Sequence, residues 1–258
     1  MKTLAVIGGT GLLGSTLVSY FEGKYTVIFI NRENYAEHVG TNFDIIINAN
    51  GNSRRFWANQ NPLNDFLAST ASVHESVLDF SCDLYIYISS TDVYENHVEQ
   101  KSTEESVNIS PMGLSSYGFN KYLGELIVKK YSQKYLILRS SMMLGSKLKK
   151  GPFYDIINNN PIYVTLQTKL QLITTNAIAE IIEVLLENTI RNEIINVGGT
   201  GVFNFMDIQK YFDYKVKVSS EAETQLYNMN VRKLKSIYPG LKKSEEYLQD
   251  YLKFNYYG

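Results

Sequence analysis

The 258-residue chain has very little cysteine and histidine, and no excess charge of either sign. Its one cysteine, Cys82, cannot form a disulfide within the chain and has no second thiol with which to build a structural zinc site. The three histidines are not at metal-ligand spacing, so we expect no bound metal. The 25 basic and 26 acidic residues give a formal net charge of −1, which argues against binding to nucleic acid.

Long apolar runs are also missing. No run approaches the roughly 18 apolar residues that a membrane helix needs. The first apolar stretch, residues 4–7, stops at a glycine and is too short for the core of a signal peptide. We therefore expect a cytoplasmic protein that does not enter a membrane.

Strand-like and helix-like segments alternate over the first two thirds of the chain. Short apolar runs predict strands at residues 4–7, 26–30, 44–48, 84–88, 136–138 and 193–197. Apolar residues at helical spacing predict helices at residues 13–21, between Pro62 and Ser81 (from Phe66, Val73 and Val77), and at residues 117–131 and 176–187. This alternation predicts an α/β protein with a Rossmann-like, doubly wound parallel sheet.

The alternation is interrupted from Gly145 to Leu172. These residues are rich in lysine and asparagine, and the segments beyond Gly201 are short and mixed. We predict a Rossmann domain made of residues 1–145 and about 172–200. A small substrate-binding lobe would then consist of about residues 146–171 and 201–258.

Three glycines, Gly8, Gly11 and Gly14, recur at every third position between the first strand and the first helix. A side chain there would block the close approach of a pyrophosphate, for which the helix N-terminus offers unpaired N–H groups. The alternative is that the glycines only shape a tight turn. Their place at the first strand–helix junction favours dinucleotide binding.

The second strand is followed by Asn31 and Arg32, where an NAD site usually has an acidic residue that binds the adenosine ribose. Arg32 can instead meet the 2′-phosphate of NADP. A solvated surface arginine is the alternative, and Glu33 lies close by. We predict NADP(H) as the cofactor, with NAD as the alternative.

Tyr117 and Lys121 are four residues apart, on one face of a predicted helix. The same spacing occurs three more times, but only this pair follows a strand that ends in hydroxyl residues, from Ser89 to Thr91. A nearby ammonium lowers the pKa of a phenol, which is about 10 when unperturbed. A serine hydroxyl can orient the reacting oxygen. We predict Ser90, Tyr117 and Lys121 as the catalytic residues.

Several motifs together resemble the extended short-chain dehydrogenase/reductase family, in its NAD-dependent epimerase/dehydratase group that acts on nucleotide sugars. The motifs are GGTGLLG, ISSTDVY, YGFNKYLGE, LRSSMMLG, EIINVGGTG and, more loosely, NMNVRKLKSIYPGL. The resemblance implies that the cofactor is bound by Gly8, Thr10, Gly11, Leu12, Leu13, Gly14, Asn31, Arg32, Asn48, Ala49, Asn50, Ser89, Tyr117 and Lys121. It implies substrate contacts at Thr91, Asp92 and Arg232. The basic cluster of Lys147, Lys149 and Lys150 predicts further contacts to the substrate's diphosphate, and a solvated run of charges is the alternative.

The sequence departs from the sugar dehydratases of this family, because Thr91-Asp92 stands where they have an Asp-Glu pair. We therefore expect an NADPH-dependent reductase of a nucleotide-linked 4-keto-6-deoxy sugar. The alternatives are an NAD-dependent nucleotide-sugar C4 epimerase and a non-catalytic NAD(P)-binding regulator. The resemblance also implies a homodimer formed through the helices at residues 62–81 and 117–131.

Overall fold

The computed structural model describes residues 1–256. The strands of this part of the chain are β1 (Thr3–Ile7), β2 (Thr26–Ile30), β3 (Asn42–Asn48), β4 (Ser81–Ser90), β5 (Tyr135–Ser140), β6 (Met142–Leu144), β7 (Ile162–Val164), β8 (Lys169–Leu170), β9 (Leu172–Thr174), β10 (Glu193–Val197), β11 (Phe203–Asn204) and β12 (Val218–Glu223). The α-helices are α1 (Leu12–Phe21), α2 (Tyr35–His38), α3 (Arg55–Gln60), α4 (Pro62–Phe66), α5 (Ser72–Asp79), α6 (Ser116–Tyr131), α7 (Pro152–Ile157), α8 (Thr175–Glu187), α9 (Arg232–Ile237) and α10 (Ser244–Asn255).

Six parallel strands form the central sheet, in the order β10-β5-β4-β3-β1-β2. The predicted doubly wound parallel sheet is confirmed. From β1 the chain adds β2 on one side and then crosses to place β3 on the other. This reversal creates a crevice at the carboxyl ends of β1 and β3, which is where such sheets bind their ligands.

Both faces of the sheet are buried, as expected for parallel strands covered by helices. Leu4 and Val6 of β1 face the core that includes the apolar side of α8. Ala5, between them, faces the core on the opposite side, together with Val73 of α5 and Val128 of α6. This alternation along one strand fixes which helices cover each face.

The helix predicted between Pro62 and Ser81 is interrupted. A π-helical turn, Leu67–Ala71, separates α4 from α5 and buries Ser69 and Thr70. Val73 is buried as predicted, but Phe66 is 40% exposed. The extra residue in the π turn shifts the phase of the apolar face, which an ideal helical repeat does not anticipate.

A second apolar core lies outside the central sheet, in the region where the sequence predicts the small lobe. It includes Phe153, Ile162, Leu170, Phe203 and Leu248. Part of the C-terminal segment packs elsewhere. The core of the main sheet includes four of its residues, Met229, Val231, Leu234 and Leu241. Helix α9 of the same segment lies against β10. Within residues 1–256, no helix is long and apolar enough to cross a membrane.

Candidate functional site

The first turn of α6 is held closely against the chain that follows β4. The Ser115 side chain caps the helix by accepting a hydrogen bond from the Gly118 N–H at 3.2 Å. A Cβ at Gly118 would lie 2.1 Å from the Asp92 carbonyl oxygen. Only glycine therefore allows this approach, which brings Tyr117 of α6 to Ser90 at the end of β4.

Tyr117 is buried, and its hydroxyl lies near that of Ser90. Burial raises the pKa of Tyr117 well above its usual range, and the negative charge of Asp92 adds to this effect. The Ser90 hydroxyl and the charge of Arg55 act in the opposite direction but are weaker than burial. Tyr117 is therefore a protonated phenol near neutrality, able to donate a proton to a bound oxygen.

Lys121 lies one helical turn after Tyr117 and is also buried. Its ammonium donates a hydrogen bond to the Ile88 carbonyl oxygen at 3.0 Å. Burial lowers the pKa of Lys121 to about 8, although the nearby carboxylates of Asp65 and Glu125 favour the charged form. Lys121 is therefore still mostly charged at pH 7. Lys121 affects the pKa of Tyr117 less than burial and the charges of Asp92 and Arg55 do.

The glycine loop between β1 and α1 is shaped for a pyrophosphate. A Cβ at Gly14 would lie 2.1 Å from the Gly8 carbonyl oxygen, so the loop and helix can be this close only without a side chain there. Gly11 is the N-cap of α1, and the first turn contains no acidic residue that would repel an anion. The loop therefore fits a dinucleotide. The Leu13 side chain is buried in the core, so only its backbone faces the loop.

The glycine loop meets the end of β3 at the crevice. A Cβ at Gly8 would lie 3.0 Å from the Asn50 backbone nitrogen, which places Ala49 and Asn50 at the rim. The side chain of Asn48 points inward, where its amide donates to the Tyr85 hydroxyl at 2.7 Å and its oxygen accepts the Asn50 N–H at 2.9 Å. The Asn48 side chain therefore has a structural role, and the predicted cofactor contact at Asn48 can involve only its backbone.

The end of β2 carries the residues expected to choose the cofactor. The Asn31 side-chain oxygen accepts the backbone N–H groups of Glu33 at 2.8 Å and Asn34 at 3.1 Å. That oxygen is consequently occupied within its own turn. Arg32 is exposed beside it.

Two hydroxyls expected to contact ligands are used inside the protein. Ser89 donates to the buried Glu125 carboxylate at 2.6 Å, and Thr91 donates to the Ser140 carbonyl oxygen at 2.9 Å. Glu125 is in turn paired with the buried Arg139 at 2.7 Å. Ser89 and Thr91 therefore support the strand ends, and Ser90 is the hydroxyl directed towards Tyr117.

Asp92 lies at the centre of a polar group that the sequence did not predict. Its carboxylate accepts hydrogen bonds from Ser90 at 3.0 Å and from the Tyr227 hydroxyl at 2.8 Å, and it pairs with Arg55 at 3.2 Å. Arg55 also donates to Gln225 at 2.9 Å and to Tyr227. Two adjacent arginines just after a predicted strand were a usable signal for Arg55. No local pattern indicates Tyr227.

The predicted basic contacts separate in the structure. Lys150 donates to the Ser53 carbonyl oxygen, on the loop that precedes Arg55, whereas Lys147 and Lys149 are exposed. Arg232 lines a surface pocket that also contains the first residues of β5 and β10. That pocket is at the amino end of the strands, opposite to Ser90, so the expected substrate contact by Arg232 is corrected.

Comparisons with known proteins agree with this arrangement. The model of the NAD dependent epimerase/dehydratase family matches residues 4–198. A search of curated proteins gives no significant match.

Among solved structures, a dTDP-4-dehydrorhamnose reductase from Bacillus anthracis in complex with NADP is similar at 17% identity, with a TM-score of 0.81 and coverage of 98% of this chain and 99% of that chain. A second dTDP-4-dehydrorhamnose reductase, from Clostridium acetobutylicum, is 16% identical with a TM-score of 0.77, covering 98% and 99%. A UDP-N-acetylglucosamine 4-epimerase from Methanobrevibacter ruminantium is 17% identical with a TM-score of 0.78, covering 98% and 96%.

At these identities the likeness shows a shared fold, whereas the family model covers most of the chain and identifies its family. The chain belongs to the NAD-dependent epimerase/dehydratase family and is an NAD(P)-dependent enzyme of the extended short-chain dehydrogenase type.

Proposed function

We propose that this protein is an NADPH-dependent reductase of a nucleotide-linked 4-keto-6-deoxy sugar. The observation that carries the proposal is the placement of Tyr117, a buried phenol beside Ser90 at the carboxyl edge of the sheet, together with the exposed Arg32 at the end of β2. Reduction of a ketone needs a proton donor at the carbonyl oxygen. Epimerisation would use the same three residues, but it would keep its cofactor and return the hydride to the other face of the sugar.

The residues that would hold the cofactor lie along the crevice. The loop from Gly8 to Gly14 would take the pyrophosphate, and Lys121 would contact the nicotinamide ribose. When bound, the reduced nicotinamide supplies a hydride. The absence of an available acceptor at Asn31 and the position of Arg32 support a cofactor with a 2′-phosphate.

In this reaction the chain's own residues position the ketone and complete the proton transfer. Ser90 would hydrogen-bond the carbonyl oxygen and align it with Tyr117. Tyr117 would donate its proton to that oxygen as the carbonyl is reduced. Lys121 and Ser90 would then stabilise the phenolate until it is protonated again.

The structural neighbours named above support a nucleotide sugar as the substrate. They include both reductases and enzymes of the main alternative reaction, epimerisation. Two are dTDP-4-dehydrorhamnose reductases, one of them bound to NADP. Others are nucleotide-sugar 4-epimerases, among them one in complex with UDP-N-acetylmuramic acid. An assay of net cofactor consumption separates the two reactions, because an epimerase returns its hydride to the substrate. A chain that binds the cofactor but turns over no nucleotide sugar would instead be a regulator.

We further propose that the protein is a homodimer formed through α5, α6 and the π turn. Phe66, Leu126 and Tyr131 on this surface are each about 40% exposed and line one groove that is almost entirely apolar. Exposed apolar grooves of this kind mark interaction surfaces. Light scattering after gel filtration should give the mass of a dimer for the wild type and of a monomer for Leu126→Glu. A monomeric wild type would contradict the proposal.

A further inference from the structure

Three cationic side chains, Arg54, Arg55 and Lys150, lie together near Asp92, in what we call the catalytic cleft between the carboxyl edge of the sheet and the small lobe. Arg54 and Arg55 stand at the start of α3, just beyond the carboxyl end of β3. Lys150 reaches them from the other part of the chain, after β6, and donates a hydrogen bond to the Ser53 carbonyl oxygen. The three residues are therefore neighbours in space although Lys150 is almost 100 positions away in sequence.

Positive charge exceeds negative charge in this cluster. Burial, followed by the charges of Arg54 and Arg55, lowers the pKa of Lys150 to about 8. Asp92 forms an ion pair with Arg55 and contributes one negative charge beside these three cations. Cations held together in this way are stabilised when an anion binds between them. The arrangement therefore favours a ligand that carries at least one negative charge.

The cluster is also at the right place relative to the reacting group. Tyr117 lies beside Ser90. The Asp92 carboxylate accepts hydrogen bonds from Ser90 and from Arg55. In a nucleotide-linked hexose, C4 carries the ketone and C1 carries the diphosphate, and these two carbons lie across the sugar ring from each other. A ketone at Tyr117 would consequently place the diphosphate one ring away, on the side where Arg55 lies.

Arg55 connects the two walls of the cleft. It stands on the Rossmann domain but contacts Gln225 and Tyr227, which belong to the chain that returns from the small lobe. The Tyr227 ring is stacked on His97 at 4.6 Å, which fixes its position. The guanidinium is thus held in place by side chains from both walls.

We propose that Arg54, Arg55 and Lys150 bind the diphosphate of the substrate nucleotide. The inference rests on the proposed function for the identity of the ligand, but binding can be tested without turnover. Two guanidinium groups provide paired donors for phosphate oxygens, and the ammonium adds a third charge. The site replaces the contact that the sequence predicted at Arg232.

The test is calorimetric titration of dTDP, UDP, GDP and CDP, and of the matching nucleosides, into the protein saturated with NADPH. Saturation prevents the nucleotides from occupying the cofactor's own pyrophosphate loop. The variants are Arg55→Ala, Lys150→Ala and Arg54→Ala, with Lys210→Ala as the control. Lys210 is an exposed lysine. Within residues 1–256 its one ion pair is with Asp207.

We expect at least one diphosphate to bind much more tightly than its nucleoside. Each of the three variants should lose about tenfold to a hundredfold in affinity, the range for a hydrogen bond to a charged group. Lys210→Ala should bind like the wild type. Arg54 is exposed, so its substitution tests the site even if the loss of Arg55 disturbs the fold. Equal affinities in all variants, or no preference for a diphosphate over its nucleoside, would overturn the proposal.

These results are separable from a failure of the proposed reductase activity. If the variants lose diphosphate affinity but no keto sugar is reduced, the anion site stands and the reaction assignment fails. If a keto sugar is reduced with the same KM by wild type, Arg55→Ala and Lys150→Ala, the reaction stands and the diphosphate site is wrong.

Discussion

The ammonium of Lys121 donates a hydrogen bond to the Ile88 carbonyl oxygen, 3.0 Å away, from within the protein interior. This position explains why the pKa of Lys121 is lowered to about 8, because burial disfavours the charged form. It also places the lysine between the end of β4 and the crevice. A Cβ added at Gly51, on the loop after β3, would lie 3.2 Å from the ammonium nitrogen.

The lowered pKa of Lys121 predicts a pH dependence of stability. An unfolded chain keeps the lysine proton up to a pH of about 10.4, whereas the folded protein begins to lose it near pH 8. Between these values the unfolded state binds more protons, so the free energy of unfolding should rise with pH. Lys121→Met should reduce this rise.

Urea unfolding measured at intervals from pH 7 to pH 10 tests the prediction. The pKa of Lys150 is also lowered to about 8, so the variant should keep part of the rise. A Lys121→Met protein whose stability changes with pH as steeply as that of the wild type would show that Lys121 is not a buried cation.

Tyr117→Phe should abolish most of the turnover and leave cofactor affinity nearly unchanged. The substitution removes one hydroxyl, and general acids contribute about 10² to 10⁴ in rate. Single-turnover kinetics and cofactor titration measure the two effects. Tyr122→Phe, on the same helix, is the matched control and should retain activity. A loss below about tenfold for Tyr117→Phe would mean that another group donates the proton.

Gly118→Ala should damage catalysis through geometry. The added methyl group would lie 2.1 Å from the Asp92 carbonyl oxygen, so α6 must move away from the end of β4. Overpacking of this kind typically costs about 1–3 kcal/mol in stability, and the shift would separate Tyr117 from Ser90. Gly240→Ala has only ordinary contacts and should be tolerated. Thermal unfolding and kcat for both variants test this, and an unchanged kcat for Gly118→Ala would refute the packing argument.

NADPH should bind at least tenfold more tightly than NADH, and Arg32→Ala should remove most of the difference. A charge-assisted contact contributes roughly 1.5–3 kcal/mol, which is about one to two decades of affinity. Because the Asn31 oxygen is already bonded to Glu33 and Asn34, it adds little to ribose recognition. Titration of both cofactors into wild type, Arg32→Ala and the control Arg232→Ala gives the answer. Equal affinities in the wild type would exclude the NADP assignment and favour the epimerase.

The sequence predicted the sheet well because its signals are local. The continuous apolar run of β2 and the strand–glycine–helix junction of β1 and α1 are visible within a few residues. The pairing of Ser90 with Tyr117 followed from the order of elements, since both lie at the carboxyl edge of a parallel sheet.

Long-range contacts were not predictable in the same way. Arg55 and Tyr227 are 172 positions apart and meet only because the lobe folds back over the cleft. Arg232 was placed by resemblance to a family segment, but its helix, α9, lies beside β10 and faces the wrong end of the sheet. The side chains of Asn48, Ser89 and Thr91 turned inward for a related reason, because sequence position does not show which buried partner a polar side chain finds.

The most direct test of the reductase assignment is a turnover assay that follows NADPH absorbance with dTDP-, UDP-, GDP- and CDP-linked 4-keto-6-deoxy sugars. Chromatography of the sugar product accompanies the absorbance. We predict that at least one substrate is converted to its alcohol with one NADPH consumed for each sugar reduced, and that Tyr117→Phe blocks this conversion. Interconversion of nucleotide sugars without net consumption of cofactor, or no conversion of any keto sugar by the wild type, would contradict the account.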